Sequence, residues 1–156
     1  MKLHLGCGRK KWEGFTNIDL ADADINCDIR ELPFDDGCVD EIHAIHVCEH
    51  FFITEILQVL REWNRVLRVG GSLFVELPCW DKVQVHIANH EPENMTRWAL
   101  YGDPKTHVDG VPALHKYCYS KAEFAGIMKG AGFIQIEHQV PVFHVPSRDM
   151  RLVARK

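Results

Sequence analysis

The feature that most constrains this chain lies near its start. Leu3-His4-Leu5 runs into Gly6-Cys7-Gly8, and two short apolar segments follow, Thr16-Asn17-Ile18-Asp19-Leu20 and Ile25-Asn26-Cys27-Asp28-Ile29, each with an acid at or near its end. A strand that meets a glycine pair can turn tightly and let a ligand lie against bare backbone. A turn that needs glycine only for chain geometry would read the same way. The acids at the next two strand ends set the pattern apart. Asp19 stands where a carboxylate can accept bonds from both hydroxyls of a ribose, and Asp28 stands beside the place an adenine would rest.

The rest of the chain alternates strand and helix signals. Residues 39–47 read as a fourth strand containing Ile42 and Ile45. Residues 54–68 carry the clearest helical period, with Ile56, Leu57, Val59, Leu60, Trp63, Val66 and Leu67 on one face. Thr54 is placed to be its N-cap and Gly70-Gly71 its stop. Residues 72–77 predict a fifth strand, ended by Pro78. Ser120-Lys121-Ala122-Glu123 is a capping box that opens a helix with Phe124, Ile127 and Met128 on its apolar side. Residues 133–140 and 150–154 predict the last two strands. This order calls for an α/β fold with a mostly parallel sheet and helices on its faces, where ligands bind beyond the carboxyl ends of the strands.

Several function classes are excluded or demoted. The dinucleotide fingerprint needs glycine where Lys11 stands, and its acid should come about 20 residues after the loop, whereas Asp19 follows Gly6 by 13. No GxxxxGK[ST] phosphate loop is present. The net charge of −4, with one short basic cluster at Arg9-Lys10-Lys11, makes nucleic acid an unlikely partner. No apolar run approaches the roughly 20 residues of a membrane span, and Met1-Lys2-Leu3-His4 opens no signal-peptide pattern, so a cytoplasmic address is expected. The six cysteines form no CxxC pair and are expected to be reduced, mostly buried thiols.

Taken together, Leu3 to Gly8, Asn17-Ile18-Asp19-Leu20, Asp28 with Leu32-Pro33-Phe34, His46-Val47-Cys48-Glu49-His50, and Glu62 to Gly71 resemble class I S-adenosylmethionine (SAM)-dependent methyltransferases, most closely the type 11 group. The likeness covers roughly residues 1–78 and returns where a capped helix ends in Ala131-Gly132-Phe133. It implies a single Rossmann-like domain over residues 1–156, with a seven-stranded, mostly parallel sheet whose last strand is antiparallel. It implies SAM as cofactor and methyl transfer to a small-molecule, glycan-precursor or lipid-precursor acceptor as activity. Residue by residue, Gly6, Cys7 and Gly8 would hold the methionine part of SAM, and Asp19 the ribose, with Leu20 packed on the adenine. Asp28 would accept from the adenine amino group, Ile29 would offer its backbone N–H, and the His46 carbonyl would face the SAM amino group. Glu49-His50 matches the group's Glu-His pair.

Two departures from the resembling group bear on activity. Residues 9–16 leave room for only one or two helical turns between the first two strands, so Trp12 and Phe15 must pack where a full helix would lie. No helix precedes the first strand here, so cover over the cofactor would come from residues 79–119, or from a second subunit in a homodimer. That segment has no clean period, is punctuated by Pro92, Pro104 and Pro112, and interleaves Trp80, Trp98, Tyr101 and Tyr117 with His86, His90, His107 and His115. So long a stretch is usually functional. Trp80, Trp98 and Tyr101 could line an acceptor pocket or form the segment's own small core. His50 and His115 are the candidate bases for an acceptor that must lose a proton. His86 and His90 are four apart, but no HExxH and no third ligand accompany them, so no metal is expected. The reading from a different class is a non-catalytic SAM- or nucleoside-binding module that serves as a partner subunit.

Overall fold

The computed structural model describes residues 1–105, 107–108 and 111–156, with side-chain placement omitted at residues 106–112. Seven strands form one sheet: β1 (Lys2–Leu5), β2 (Thr16–Asp19), β3 (Ile25–Asn26), β4 (Val39–Ile45), β5 (Leu67–Pro78), β8 (Ile134–Gln139) and β9 (Asp149–Arg155). Their order is β3-β2-β1-β4-β5-β9-β8, and every pairing is parallel except those of β9. The antiparallel strand is the last in the chain, as the sequence leads one to expect, and it inserts between β5 and β8. A two-stranded ribbon, β6 (His107–Val108) with β7 (Val111–Pro112), stands apart. None of the helices in the described residues is long and apolar enough to cross a membrane.

Alternation along the strands gives the sheet two unlike faces. Leu3, Leu5, Ile42, Ala44, Leu73, Val75, Leu152 and Ala154 pack with helices α1 (Ile56–Val66) and α4 (Lys121–Gly130) in one hydrophobic core. Helix α1 forms because Ile56, Val59, Leu60, Trp63 and Val66 all fall on its buried side. It starts at Ile56, behind Glu55 rather than a Thr54 cap, because the Glu55 carboxylate holds the Phe52 N–H at 2.9 Å instead. Gly70-Gly71 does not stop the helix. Strand β5 has already begun at Leu67, and the glycines lie where its register against β4 slips from Val39↔Leu67 to Glu41↔Ser72. The capping box of α4 is present in both directions between Ser120 and Glu123.

The opposite face is covered by rings. His4, His43 and Phe74 stand side by side in register on β1, β4 and β5. Trp12 stacks on His4 at 4.0 Å and on Phe143 at 4.7 Å, and Phe15 meets His43 edge-on at 5.3 Å. The loop from Gly8 to Phe15 holds no helical turn at all. Asn17 explains why: its side-chain oxygen takes the Trp12 N–H at 2.8 Å and its amide donates to the Trp12 carbonyl at 3.1 Å, so loop backbone groups are satisfied without a helix. In the segment from residue 79, Trp80–Ala88 form α2 and Arg97–Tyr101 form α3, periods too short to stand out in sequence.

Gly6 sits where β1 passes β4, with φ +63°. A Cβ there would lie 2.4 Å from a Val47 methyl carbon. Gly6→Ala therefore combines a left-handed backbone with overpacking, and is expected to cost about 2–4 kcal/mol. The melting temperature should fall by roughly 4–16 °C, read by circular dichroism against wild type.

Candidate functional site

The chain reverses its direction across the sheet between β1 and β4, and a cleft opens there beyond the strand ends. Its volume is about 460 Å³, within the rough 300–1,000 Å³ range of small-molecule sites. Gly6 and Gly8 form its floor, Asp19 and Leu20 come from the end of β2, and Asp28, Ile29 and Arg30 from the turn after β3. His46, Val47, His50 and Phe51 follow β4, while Ala113, Leu114 and Lys116 arch over from the other side. A shallower groove along the outer face of α1, lined by Arg30, Glu55, Gln58, Arg61, Glu62 and Arg65, contains no strand end.

The strand ends are arranged to leave particular backbone groups free. The Asp19 carboxylate accepts from the N–H groups of Gly8 and Leu20, both at 2.7 Å, which fixes it at the glycine loop with lone pairs to spare. Leu20 beside it is 63% exposed, unusual for a leucine next to a cleft. Among the described residues the Ile29 N–H has no acceptor, while its carbonyl is held by the buried Trp63 indole at 2.9 Å. His46 donates its N–H to the Glu76 carbonyl at 2.7 Å. The next rung would need an N–H from Pro78, which has none, so the His46 carbonyl is left over at the end of the ladder. Asp28 differs from expectation. Strand β3 ends at Asn26, Asp28 opens a turn, and Arg30 occupies its carboxylate oxygens at 2.6–3.0 Å. Arg30 also holds Asp28 below the usual carboxylate range.

Beneath the cleft lies a buried charge network. His46 stands at φ +55°, with Nδ1 2.8 Å from Glu49 and Nε2 3.2 Å from Asp149. Both acids are fully buried. Burial alone would lower the His46 pKa, but the Glu49 charge and the Asp149 hydrogen bond outweigh it and raise it to about 9. Asp149, despite burial, is kept well below the usual range by His46 and by Arg148, whose Nε lies at 2.6 Å. Burial would push Glu49 up, yet the histidines around it, His46 foremost, hold it down. Its contact with His46 is close but not aligned as a hydrogen bond, and neither Glu49 oxygen has a hydrogen-bond partner among the described residues.

The structure thus gathers Gly6, Gly8, Asp19, Leu20, Asp28, Ile29, His46 and His50 around one cleft. The Cys7 side chain is buried under it and is not among the lining residues. His115 lies just behind His50, with ring centroids 5.0 Å apart. Trp80, Trp98 and Tyr101 do not line the cleft. His86 and His90 make no pair, His86 being bonded to the Ser147 carbonyl at 3.0 Å. Asp149, Arg148 and the covering residues Leu114 and Lys116 went unread in the sequence. Asp149 is 103 positions from the histidine it pairs with, so no local pattern could have flagged it.

Strand tips converging over bare glycine backbone define a Rossmann-like fold with a cleft beyond its strand ends. Comparison with known proteins narrows that class. Residues 7–75 match the family described as methyltransferase domain. The chain superposes on a SAM-dependent methyltransferase of Archaeoglobus fulgidus with a TM-score of 0.71 and 15% identity, covering 99% of this chain and 85% of that one. For one of Methanosarcina mazei the values are 0.68, 15%, 99% and 91%, and for one of Thermotoga maritima 0.67, 13%, 99% and 81%. A stretch of 69 residues is 33% identical to an uncharacterised 37.1 kDa protein in transposon TN4556 of Streptomyces fradiae, covering 44% of this chain and 19% of that protein. The chain therefore spans about a fifth of that curated relative's length. The fold is thus the one these SAM-dependent methyltransferases share, and residues 7–75 match the methyltransferase-domain family.

His46 touches two buried carboxylates at once, so His46→Ala is expected to cost about 3–5 kcal/mol. Asp28→Ala removes only a half-exposed ion pair and should cost under about 1 kcal/mol. Urea unfolding of the two variants beside wild type separates these values.

Proposed function

We propose that this protein transfers a methyl group from SAM to a small-molecule, glycan-precursor or lipid-precursor acceptor bound at the His50 side of the cleft. The observation that carries the reading is the set of free backbone groups at the cleft: the Ile29 N–H, the His46 carbonyl and the glycine floor. The Asp19 carboxylate complements them at the end of β2. Together they suit the adenine edge, the amino group, the amino-acid tail and the ribose hydroxyls of SAM.

In this reading Gly6 and Gly8 hold the amino-acid tail, Asp19 the ribose, Leu20 one face of the adenine, and Ile29 its ring nitrogen. Cys7 supports the floor from below. Asp28 accepts from the adenine amino group once Arg30, 55% exposed, gives way. When bound, SAM supplies a methyl group already activated on a sulfonium. What remains for the protein is to align the acceptor and keep water out. Within residues 79–119, the part that serves as cover is 113–116, pinned by Lys116 N–H to the Glu49 carbonyl at 2.7 Å. For a hydroxyl acceptor, His50 brings its ring to the cleft wall where a proton must leave, with His115 behind it.

A second reading is a SAM-binding partner subunit without catalysis of its own. The absence of any helix between β1 and β2 favours it, since the scaffold is thin on that side. Titration with S-adenosylhomocysteine followed by an acceptor screen separates the two. Binding with product formation supports the enzyme, and binding without product from any acceptor supports the subunit. Asp19→Ala should weaken S-adenosylhomocysteine binding by about 1–3 kcal/mol, or roughly 5- to 150-fold, measured by calorimetry. An unchanged affinity rejects the ribose assignment.

A further inference from the structure

At the His50 end of the cleft the described residues gather three ligand-type side chains. Glu49, His50 and His115 each present one ligand-type atom, and these atoms lie within 4.8 Å of one another. Glu49 is fully buried, and neither of its carboxylate oxygens has a hydrogen-bond donor. A buried carboxylate left so is costly unless a cation meets it. His46 meets it on one side only, at 2.8 Å.

The two histidines are oriented in a telling way. His50 Nδ1 lies 3.0 Å from the Leu114 carbonyl oxygen, and His115 Nδ1 lies 2.9 Å from the Ala99 carbonyl oxygen. A carbonyl only accepts, so Nδ1 carries a proton in both rings and Nε2 is the nitrogen left to ligate. His115 Nε2 then faces the Glu49 carboxylate at 3.9 Å, too far for a hydrogen bond. A histidine that ligates a metal through one nitrogen while giving its other N–H to a backbone carbonyl has this arrangement.

We infer that Glu49, His50 and His115 form a divalent-metal site, a two-histidine, one-carboxylate set of the kind taken by Zn²⁺ and similar borderline ions. Ligand bonds of about 2.0–2.2 Å require only that the three side chains draw together by under roughly 1 Å each. Three protein ligands leave open coordination positions, and His50, which also lines the cleft, places them at its acceptor end. An ion there would hold an oxygen acceptor and lower the pKa of its hydroxyl, whose proton passes to solvent water. His50 and His115 are then ligands rather than proton acceptors. The substrate class narrows to molecules that present a hydroxyl to a metal. This assignment rests on reading the cleft as a methyl-transfer site, but the metal site itself can be tested without turnover.

The experiment titrates the chelator-stripped 156-residue chain with Co²⁺, followed by its visible d–d absorption, and then displaces it with Zn²⁺. The expected result is one equivalent of Co²⁺ with the intensity of a low-coordinate nitrogen and oxygen site, displaced stoichiometrically by Zn²⁺. Glu49→Gln and His115→Ala should each weaken binding at least about tenfold, with folding checked by circular dichroism. If one variant does not fold, the other carries the test. His144→Ala touches only the alternative grouping of His46, His144 and Asp149, and should leave Co²⁺ binding intact. Loss of binding in His144→Ala with retention in Glu49→Gln, or no Co²⁺ binding by wild type, overturns the proposal. S-adenosylhomocysteine titration of the same stripped sample reports separately on the cofactor cleft, so failure of one reading is distinguishable from failure of the other.

Discussion

One imidazolium holds the middle of this molecule. His46 ends the central strand β4, and its two ring nitrogens meet Glu49 from the following turn and Asp149 from the start of β9. Two buried carboxylates cannot stand together without compensating charge. His46 supplies one positive charge and Arg148 another. The backbone of His46 is left-handed, an uncommon state for a residue with a side chain, and the two ion pairs over-determine it. That turn sets Val47 against Gly6 and His50 at the rim. The shape of the cleft therefore follows from an electrostatic constraint centred on one of its own lining residues.

The second constraint is the uneven cover of the sheet. One face has two helices and a continuous aliphatic core, while the other has a layer of rings. Rings suit a place where the chain has only the residues between Gly8 and Phe15 to spend. Each buries a large area and adds stacking worth about 0.5–1.5 kcal/mol per pair. The layer is also tied down by ions. Arg151 lies over Phe74 and Phe143 and bonds the buried Glu76 at 2.8 Å, and Glu76 in turn accepts from the N–H groups of Val142 and Phe143. Thus the loop before β9 is drawn onto the ring layer by the same buried pair that joins β5 to β9.

Why some of this was legible in the sequence and some not is a matter of range. Gly6, Gly8, Asp19 and Leu20 announce themselves because loop, strand and acid follow within a few positions, and local spacing encodes local geometry. Helix α1 was equally open to reading, through a periodic face, whereas its ends were not. Glu55 and Leu67 answer to neighbours, the Phe52 N–H and the β4 ladder, that no periodicity shows. Asp28 illustrates the opposite failure. Its position beside the cleft was legible, but its occupation by Arg30 depends on a tight turn that the strand pattern obscured. The pairing of His46 with Asp149 and the stacking of Trp12 on Phe143 join distant parts of the chain, and sequence spacing carries no information about them.

Glu49 shows how cover and chemistry are joined. Its side chain serves the buried network, while its carbonyl accepts from Lys116 and Tyr117 at 2.7 and 3.3 Å. His50 on the next position holds the Leu114 carbonyl at 3.0 Å. The cover over residues 113–116 is therefore fastened to the same short turn that carries the acid and the histidine. Lifting it would break three hydrogen bonds and expose Glu49, a costly motion when each buried polar group left unpaired costs about 1–3 kcal/mol. The opposite rim carries no such ties: Leu20 is 63% exposed there, and Arg30 is held only by half-exposed acids. The Leu20–Arg30 side is therefore the more open edge of the cleft. The cleft is thus closed firmly on the His50 side and loosely on the other, and both properties trace to the same short turn after β4.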